Sequence, residues 1–244
     1  MRLLICITRA AYLTLPSCRI RNSDHTEHVQ EELFKRDRRG GKRRGAGRRP
    51  KHGRAGVPHS RRAEVRATWP VHVTLRVGRD VPYLRKRNVW RAIAKATLAA
   101  AKRGAIRVVH ASVQHDHVHI LVETSDAKAL ATGMHAFQIS AAHWINLAAK
   151  RTGRVFPDRY HVHVIKTPRE ARNAIRYVLS NWRKHGEDAR LRCAIDPFST
   201  GYSFWIAERA PRDYEPLPVT QAESWLLRIG WQRAGEISPY ERPG

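Results

Sequence analysis

The sequence predicts an α+β fold: a ferredoxin-like split βαβ antiparallel sheet with an extra C-terminal helix carrying the tyrosine discussed below. Three short segments alternate apolar and polar residues, the pattern of half-buried strands, and a fourth, 106–113, is densely apolar. Segments of helical period lie between the first and second strands, between the third and fourth, and after the fourth. The order β-α-β-β-α-β is that of the split βαβ arrangement. Two helices then pack on one face of the sheet, and the other face stays open unless another element covers it.

The first half of the domain contains three strands and one helix. Apolar residues alternate with polar ones over 71–77, which predicts the first strand. From 88 the apolar positions follow a helical stripe that ends at Gly104. Residues 106–113 and 117–123 are rich in β-branched side chains and are separated by a short polar segment, so they predict a hairpin.

The second half begins with a long helix over 126–150, whose apolar residues occupy one face. A glycine-containing turn leads to the fourth strand over 161–165. Pro168 and Glu170 are typical of a helix start, and Gly186 ends that helix.

Composition indicates a polyanionic partner. The chain of 244 residues has 46 Lys and Arg against 21 Asp and Glu, a formal net charge of +25. Residues 1–66 are predicted to be a disordered basic N-terminal arm, because 35–66 hold 14 Lys and Arg and almost no apolar side chain. Residues 67–186 form the folded domain, and 187–244 an irregular C-terminal extension that docks on it. The arm either tracks DNA phosphates or is a solvated linker; the DNA-binding candidates are Arg38, Arg39, Lys42, Arg43, Arg44, Arg48, Arg49 and Lys51.

The cysteine content favours a reducing compartment, because three cysteines at irregular spacing do not form a disulfide framework. The apolar N-terminal run 3–15 is interrupted by Arg9 and is too short to span a bilayer. We therefore expect a cytoplasmic, nucleoid-associated protein with no membrane partner. A signal peptide is the alternative interpretation of this run.

Histidines gather on the polar side of the predicted sheet. His117 and His119 are separated by one residue on the third strand, so their side chains share a face and can bind one divalent ion. His115 has the same parity, and His161 and His163 occupy the polar parity of the fourth strand. The alternative is that these are ordinary surface histidines of a basic protein that has 14 of them.

The last helix of the domain carries a polar stripe beside its apolar one. Asn173, Tyr177 and Asn181 are four residues apart and therefore adjoin one another. A tyrosine hydroxyl can attack a phosphodiester, and an amide oxygen can complete a metal shell. Tyr177 could equally be a half-buried packing residue with its hydroxyl in water.

Three segments resemble the single-tyrosine HUH transposases, and in particular their REP-associated and insertion-sequence branches. They are VQHDHVHILV at 113–122, GRVFPDRYH at 153–161 and YVLSN at 177–181. The resemblance covers roughly residues 69–186, and it implies that 67–186 is the catalytic domain. It further implies a Tyr177 nucleophile, with Mg²⁺ or Mn²⁺ bound by His117, His119 and Asn181. Two departures are His115-Asp116, where the family often has Pro-Asn, and Trp182-Arg183-Lys184, where it commonly has Pro-Val-Arg.

The implied reaction is metal-dependent cleavage and rejoining of single-stranded or hairpin DNA through a 5′-phosphotyrosine. Water, His115 or His161 could accept the phenol proton. Two other functions remain open: a catalytically inactive DNA- or RNA-binding protein of the same fold, and a zinc-dependent hydrolase using His115, His117, His119 and His161. The sequence fits a monomer or a homodimer.

Overall fold

The computed structural model describes residues 64–189, 193–205, 210–212 and 214–243. Its main elements are β1 (Val71–Arg76), α1 (Arg87–Lys102), β2 (Arg107–Val113), β3 (His117–Glu123), α2 (Ala127–Ala148), β4 (His161–Val164) and α3 (Pro168–Lys184). Two short helices follow, α4 (Gly201–Phe204) and α5 (Trp225–Arg228). The predicted element order is confirmed, and the third strand and the last long helix have the predicted bounds.

The four strands form one antiparallel sheet in the order β2-β3-β1-β4. The strand β1 therefore lies between β3 and β4, and it pairs Thr74 with His119 on one side and with His161 on the other. This register places the polar positions of three strands side by side on one face.

The first face of the sheet packs on α1 and α2. Apolar side chains of β1 and β3 point to these helices and form the main core with them. The strand β2 has an irregularity between Val108 and His110, so Val108 joins this core whereas Val109 faces the opposite side. The α+β class and the placement of two helices on one face agree with the sequence analysis.

The second face is covered in part by α3 and the C-terminal extension. Residues such as Ile175 and Val178 of α3 form a second core with Leu121 and Val109 of the sheet. Leu226 of α5 also belongs to this core. The helix α3 is thus held between the sheet and the extension, and only part of the second face stays open.

Local sequence explains where α3 begins and ends. Thr167 caps the helix and accepts the Glu170 backbone N–H at 3.2 Å, while the Glu170 side chain accepts the Thr167 backbone N–H at 3.1 Å. Pro168 occupies the first turn, where no backbone donor is needed. Gly186 follows the C-cap with a φ of +69°, which favours glycine.

A buried ion pair fastens the extension to the domain. Arg85 donates to Asp196 at 2.8 and 3.0 Å, and neither side chain is more than 1% exposed. Arg85 also donates to the Val113 carbonyl at the end of β2. Removing one partner would leave a buried unpaired charge, so this contact holds the segment after α3 firmly in place.

The predicted arm lies almost entirely outside the described residues, and so do its eight DNA-binding candidates. Its last residues, 64–66, belong to the folded unit instead. Val65 is buried in the main core and Arg66 forms an antiparallel bridge with Asp126. In the part of the chain that the structure describes, no helix is long and apolar enough to cross a membrane.

Candidate active site

The histidine pair of β3 lies on the second face of the sheet, beside α3. The ring centroids of His117 and His119 are 4.6 Å apart. His119 is 3% exposed, whereas His117 reaches the open part of the face. The alternation of β3 sends Val118 and Ile120 into the main core, and this fixes the opposite direction of the two imidazoles.

Two side chains of β1 orient the His119 ring. The Nδ1 atom of His119 lies 3.1 Å from Thr74 Oγ1 and 3.1 Å from His72 Nε2. A proton on Nδ1 can be donated to either partner, which leaves the Nε2 lone pair free for a metal ion. Burial, followed by the neighbouring imidazoles His72 and His117, lowers the pKa of His119 well below 6.5. The ring is therefore neutral at physiological pH, as metal binding requires.

A carboxylate orients the His117 ring. Its Nδ1 atom lies 2.7 Å from Asp116 Oδ1, and Arg76 donates to the same carboxylate at 2.6 Å. Burial opposes ionisation of Asp116, but the hydrogen bonds from His117 and Arg76 lower its pKa to about 2. Asp116 is therefore ionised at neutral pH and accepts a hydrogen bond from His117 Nδ1–H. The Nε2 atom of His117 then carries the lone pair that can bind a metal ion.

Asn181 meets the histidine pair from α3. It is fully buried, and its Nδ2 atom lies 3.1 Å from His119 Nε2 and 3.4 Å from His185 Nε2. Its Oδ1 atom is buried without a hydrogen-bond partner among the described residues. A 180° rotation of the amide exchanges these atoms and turns the oxygen toward His119.

These donors fit a divalent cation. The imidazoles of His117 and His119 lie 4.6 Å apart between ring centroids, and the amide rotation would turn the Asn181 oxygen toward His119. Mn²⁺ and Mg²⁺ accept such oxygen and nitrogen ligands. Among the described residues, no three His, Cys, Asp or Glu side chains are arranged to hold a metal ion, so the amide is the third donor in this interpretation.

Tyr177 lies one helical turn before Asn181 and faces the same place. Its ring centroid is 5.2 Å from that of His119 and 5.8 Å from that of His72. The side chain is half-buried, and burial raises the pKa of the phenol above 10.0. The ammonium of Lys184 lies 5.7 Å from the Tyr177 ring centroid.

A cleft of about 710 Å³ joins these groups. The β3 histidines and Tyr177 line it, and so do His161 and His163 of β4. Arg76, Lys184 and Glu170 are the lining residues with formal charges, and Arg76 is paired with Asp116 at 2.6 Å. A phosphodiester fits such a site, because cations can pair with its oxygens while a phenol faces the phosphorus.

Comparison with known families identifies one that part of this chain resembles. The family model described as "Transposase IS200 like" matches residues 67–181. Residues 67–181 are therefore similar to the IS200-like transposases. The matched region runs from the approach to β1 through Asn181, so it contains His117, His119, Tyr177 and Asn181, whereas His185 lies beyond it. Among curated proteins, none matches the chain.

Several solved structures are similar to this chain. A REP-associated tyrosine transposase bound to a REP hairpin is 16% identical with a TM-score of 0.49, covering 69% of this chain and 96% of that one. A transposase candidate from Deinococcus radiodurans R1 is 14% identical with a TM-score of 0.35, covering 46% and 87%. A bacterial tRNA(His) guanylyltransferase-like protein in complex with GTP is 11% identical with a TM-score of 0.37, covering 48% and 63%.

The two predicted accessory histidines differ in position. His161 is exposed and lines the cleft. The His115 ring packs on Tyr83 at 4.9 Å between centroids, and His115 is not among the side chains that line the cleft. A four-histidine zinc site with His115 therefore has no support in this geometry.

Three neighbours of this site have no role in the sequence-based prediction. His72 and Thr74 lie at polar positions of β1, and the register with β3 brings both side chains to His119. His185 extends the polar stripe by one more step of four residues, and its ring centroid is 5.6 Å from that of His117. The spacing 173, 177, 181, 185 was a signal for it.

Proposed function

We propose that the chain cleaves and rejoins single-stranded or hairpin DNA, with Tyr177 as the nucleophile. The observation that carries this proposal is the position of the Tyr177 ring, 5.2 Å from the His119 ring between centroids and one helical turn before Asn181, whose buried amide oxygen has no partner among the described residues. The match of residues 67–181 to the IS200-like transposases supports a transposase function, and the hairpin substrate is part of the proposal.

His117, His119 and Asn181 would hold a divalent cation, for which we propose Mg²⁺ or Mn²⁺. When bound, such an ion polarises the phosphate and stabilises the charge that develops on it. Asp116 and Thr74 keep the two imidazoles turned toward that position. His119 contacts the Tyr177 ring and the Asn181 amide of the same chain, which supports a site that is complete in a monomer or in each copy of a homodimer.

In the chemical step, the Tyr177 oxygen forms a bond to phosphorus and the bond from phosphorus to the 3′ oxygen breaks. The phenol proton leaves to water or to a nearby base, and the departing oxygen takes up one proton to give a 3′-OH. Because burial raises the phenol pKa, the proton stays on Tyr177 until the attack. Reversal by a 3′-OH rejoins a strand and needs no external energy source.

The test is formation of a covalent adduct between the protein and labelled hairpin DNA that carries single-stranded flanks, in Mg²⁺ or Mn²⁺. We expect the wild type to form an adduct that resists denaturing electrophoresis, and Tyr177→Phe to form none. Tyr240→Phe is the matched control, because Tyr240 is an exposed tyrosine outside the cleft.

Two results would overturn the proposal. DNA that is bound but never cut in either metal would support a nucleic-acid-binding protein of the same fold. Cleavage that leaves no adduct and survives Tyr177→Phe would support a hydrolase.

A further inference from the structure

A second pocket lies at the end of the sheet where α3 begins. It has a volume of about 560 Å³ and is lined by Trp69, Trp225 and Lys166, with Glu223 and Ser224 at its side. We call it the Trp69–Trp225 pocket. It is separate from the cleft described above, because the two share no lining residue.

The two indoles of this pocket have different exposures. Trp225 is 41% exposed, which is unusual for so large an aromatic side chain. Trp69 is half-buried and packs against both cores, so the folded domain holds it rigidly. An exposed indole beside a fixed one forms a platform for a flat aromatic ligand.

Cations surround the platform. The guanidinium of Arg66 lies 4.6 Å from the Trp69 ring centroid, and the ammonium of Lys166 lies 4.9 Å from it. The guanidinium of Arg233 lies 4.8 Å from the Trp225 ring centroid. Two carboxylates lie nearby: Glu223 is paired with Arg107 at 2.7 Å, and Glu64 is paired with Arg66 at 2.9 Å, so Lys166 and Arg233 supply the remaining positive charge. Aromatic rings combined with positive charge are typical of sites that bind single-stranded nucleic acid.

The distance to Tyr177 suits one continuous strand. Thr74, which contacts His119, comes five residues after Trp69 in the sequence. Extended chain of this length spans about 17 Å at roughly 3.3 Å per residue. Eleven residues, mostly helical, separate Lys166 from Tyr177 and span about 17 Å at roughly 1.5 Å each. Both distances correspond to about five stacked base steps of roughly 3.4 Å.

We propose that the Trp69–Trp225 pocket binds one unpaired nucleobase of the DNA strand whose phosphate is presented to Tyr177. The base stacks on the Trp225 indole, and Lys166 pairs with the adjoining phosphate. This inference rests on the proposed function for its substrate, and it adds a binding site that lies away from the reacting atoms. A free nucleotide has the same chemistry, so the test must separate it from a strand.

The test measures binding of fluorescently labelled hairpin DNA by anisotropy, in a Tyr177→Phe background that prevents cleavage. The hairpins carry a single-stranded flank, an abasic flank or no flank. We expect Trp225→Ala to weaken binding of the flanked hairpin about 5- to 100-fold, the cost of losing one stacked base. Binding of the other two hairpins should change less than about twofold.

Three controls keep the proposal falsifiable. Trp225→Phe retains an aromatic face and should recover most of the affinity, which separates stacking from a folding defect. Tyr240→Ala removes another exposed aromatic residue that also lies near an arginine, and it should leave all three hairpins unaffected. Deoxyadenosine monophosphate should compete only at concentrations far above those of the flanked hairpin.

The proposal is overturned if Trp225→Ala weakens all three hairpins equally, if Tyr240→Ala has the same effect, or if the mononucleotide competes as well as the strand. These outcomes do not depend on cleavage. A protein that binds the flank through Trp225 but forms no adduct as wild type would refute the proposed function and leave this pocket intact.

Discussion

Removal of the Asp116 carboxylate tests whether the histidine pair is oriented for a metal ion. In the structure His117 Nδ1 lies 2.7 Å from Asp116 Oδ1, and Arg76 fixes that carboxylate from the other side. With Asp116→Ala the His117 ring loses its acceptor and can rotate or change tautomer, so the Nε2 lone pair is no longer aimed at the site. Substitutions of such orienting partners typically weaken metal affinity about 10- to 100-fold.

This loss corresponds to about 1.4–2.7 kcal/mol of binding free energy. Asp116→Asn should lose less than Asp116→Ala, because the amide oxygen can still accept the His117 Nδ1 proton. Isothermal titration of the full-length protein with Mn²⁺ measures the affinity directly, without DNA and without catalysis.

Asp80→Ala provides the matched control. Asp80 also pairs with an arginine, Arg151, but it is exposed and lies outside the cleft. Its removal should leave Mn²⁺ affinity unchanged. If Asp116→Ala binds Mn²⁺ within about twofold of the wild type, the orienting role of Asp116 is wrong.

Two more predictions follow from groups already described. Lys184→Gln should slow adduct formation about tenfold with little change in Mn²⁺ affinity, because Lys184 supplies positive charge to the cleft beside Tyr177; equal single-turnover rates would contradict this. Burial lowers the pKa of His110 from 6.5 to about 4, so the unfolded chain binds more protons below pH 6.5 and stability falls as the pH drops. Between pH 7 and pH 5, His110 should account for about 2 kcal/mol of the fall in unfolding free energy, and His110→Gln should abolish that part. Urea titrations at both pH values measure it, and an unchanged pH dependence would refute the assignment of the lowered pKa to His110.

Periodicity was sufficient to predict the sheet and the long helices. The third strand alternates cleanly, so parity alone placed His117 and His119 on the face opposite the main core. The capping residues Thr167 and Glu170 and the glycine after α3 set that helix at the predicted residues. These signals depend only on residues that are close in the sequence, so a single sequence is enough to recognise them.

The remaining features depend on contacts between distant residues. His72 and Thr74 lie beside His119 because of the β1–β3 register, which no local sequence pattern predicts. The buried pair of Arg85 and Asp196 joins residues 111 positions apart. The Trp69–Trp225 pocket likewise joins the approach to β1 with the C-terminal extension, and a spacing rule cannot find such a pair.

The anchoring of α3 on both sides has a consequence for strand exchange. Glu241 of the extension pairs with Arg172 and Arg176 on the outer side of α3, while the inner side is buried against the sheet. Swinging this helix out to serve a neighbouring copy would break both sets of contacts at once. If Tyr177 is the nucleophile that we propose, it would stay in place on α3, and the cut DNA ends would have to move during strand exchange.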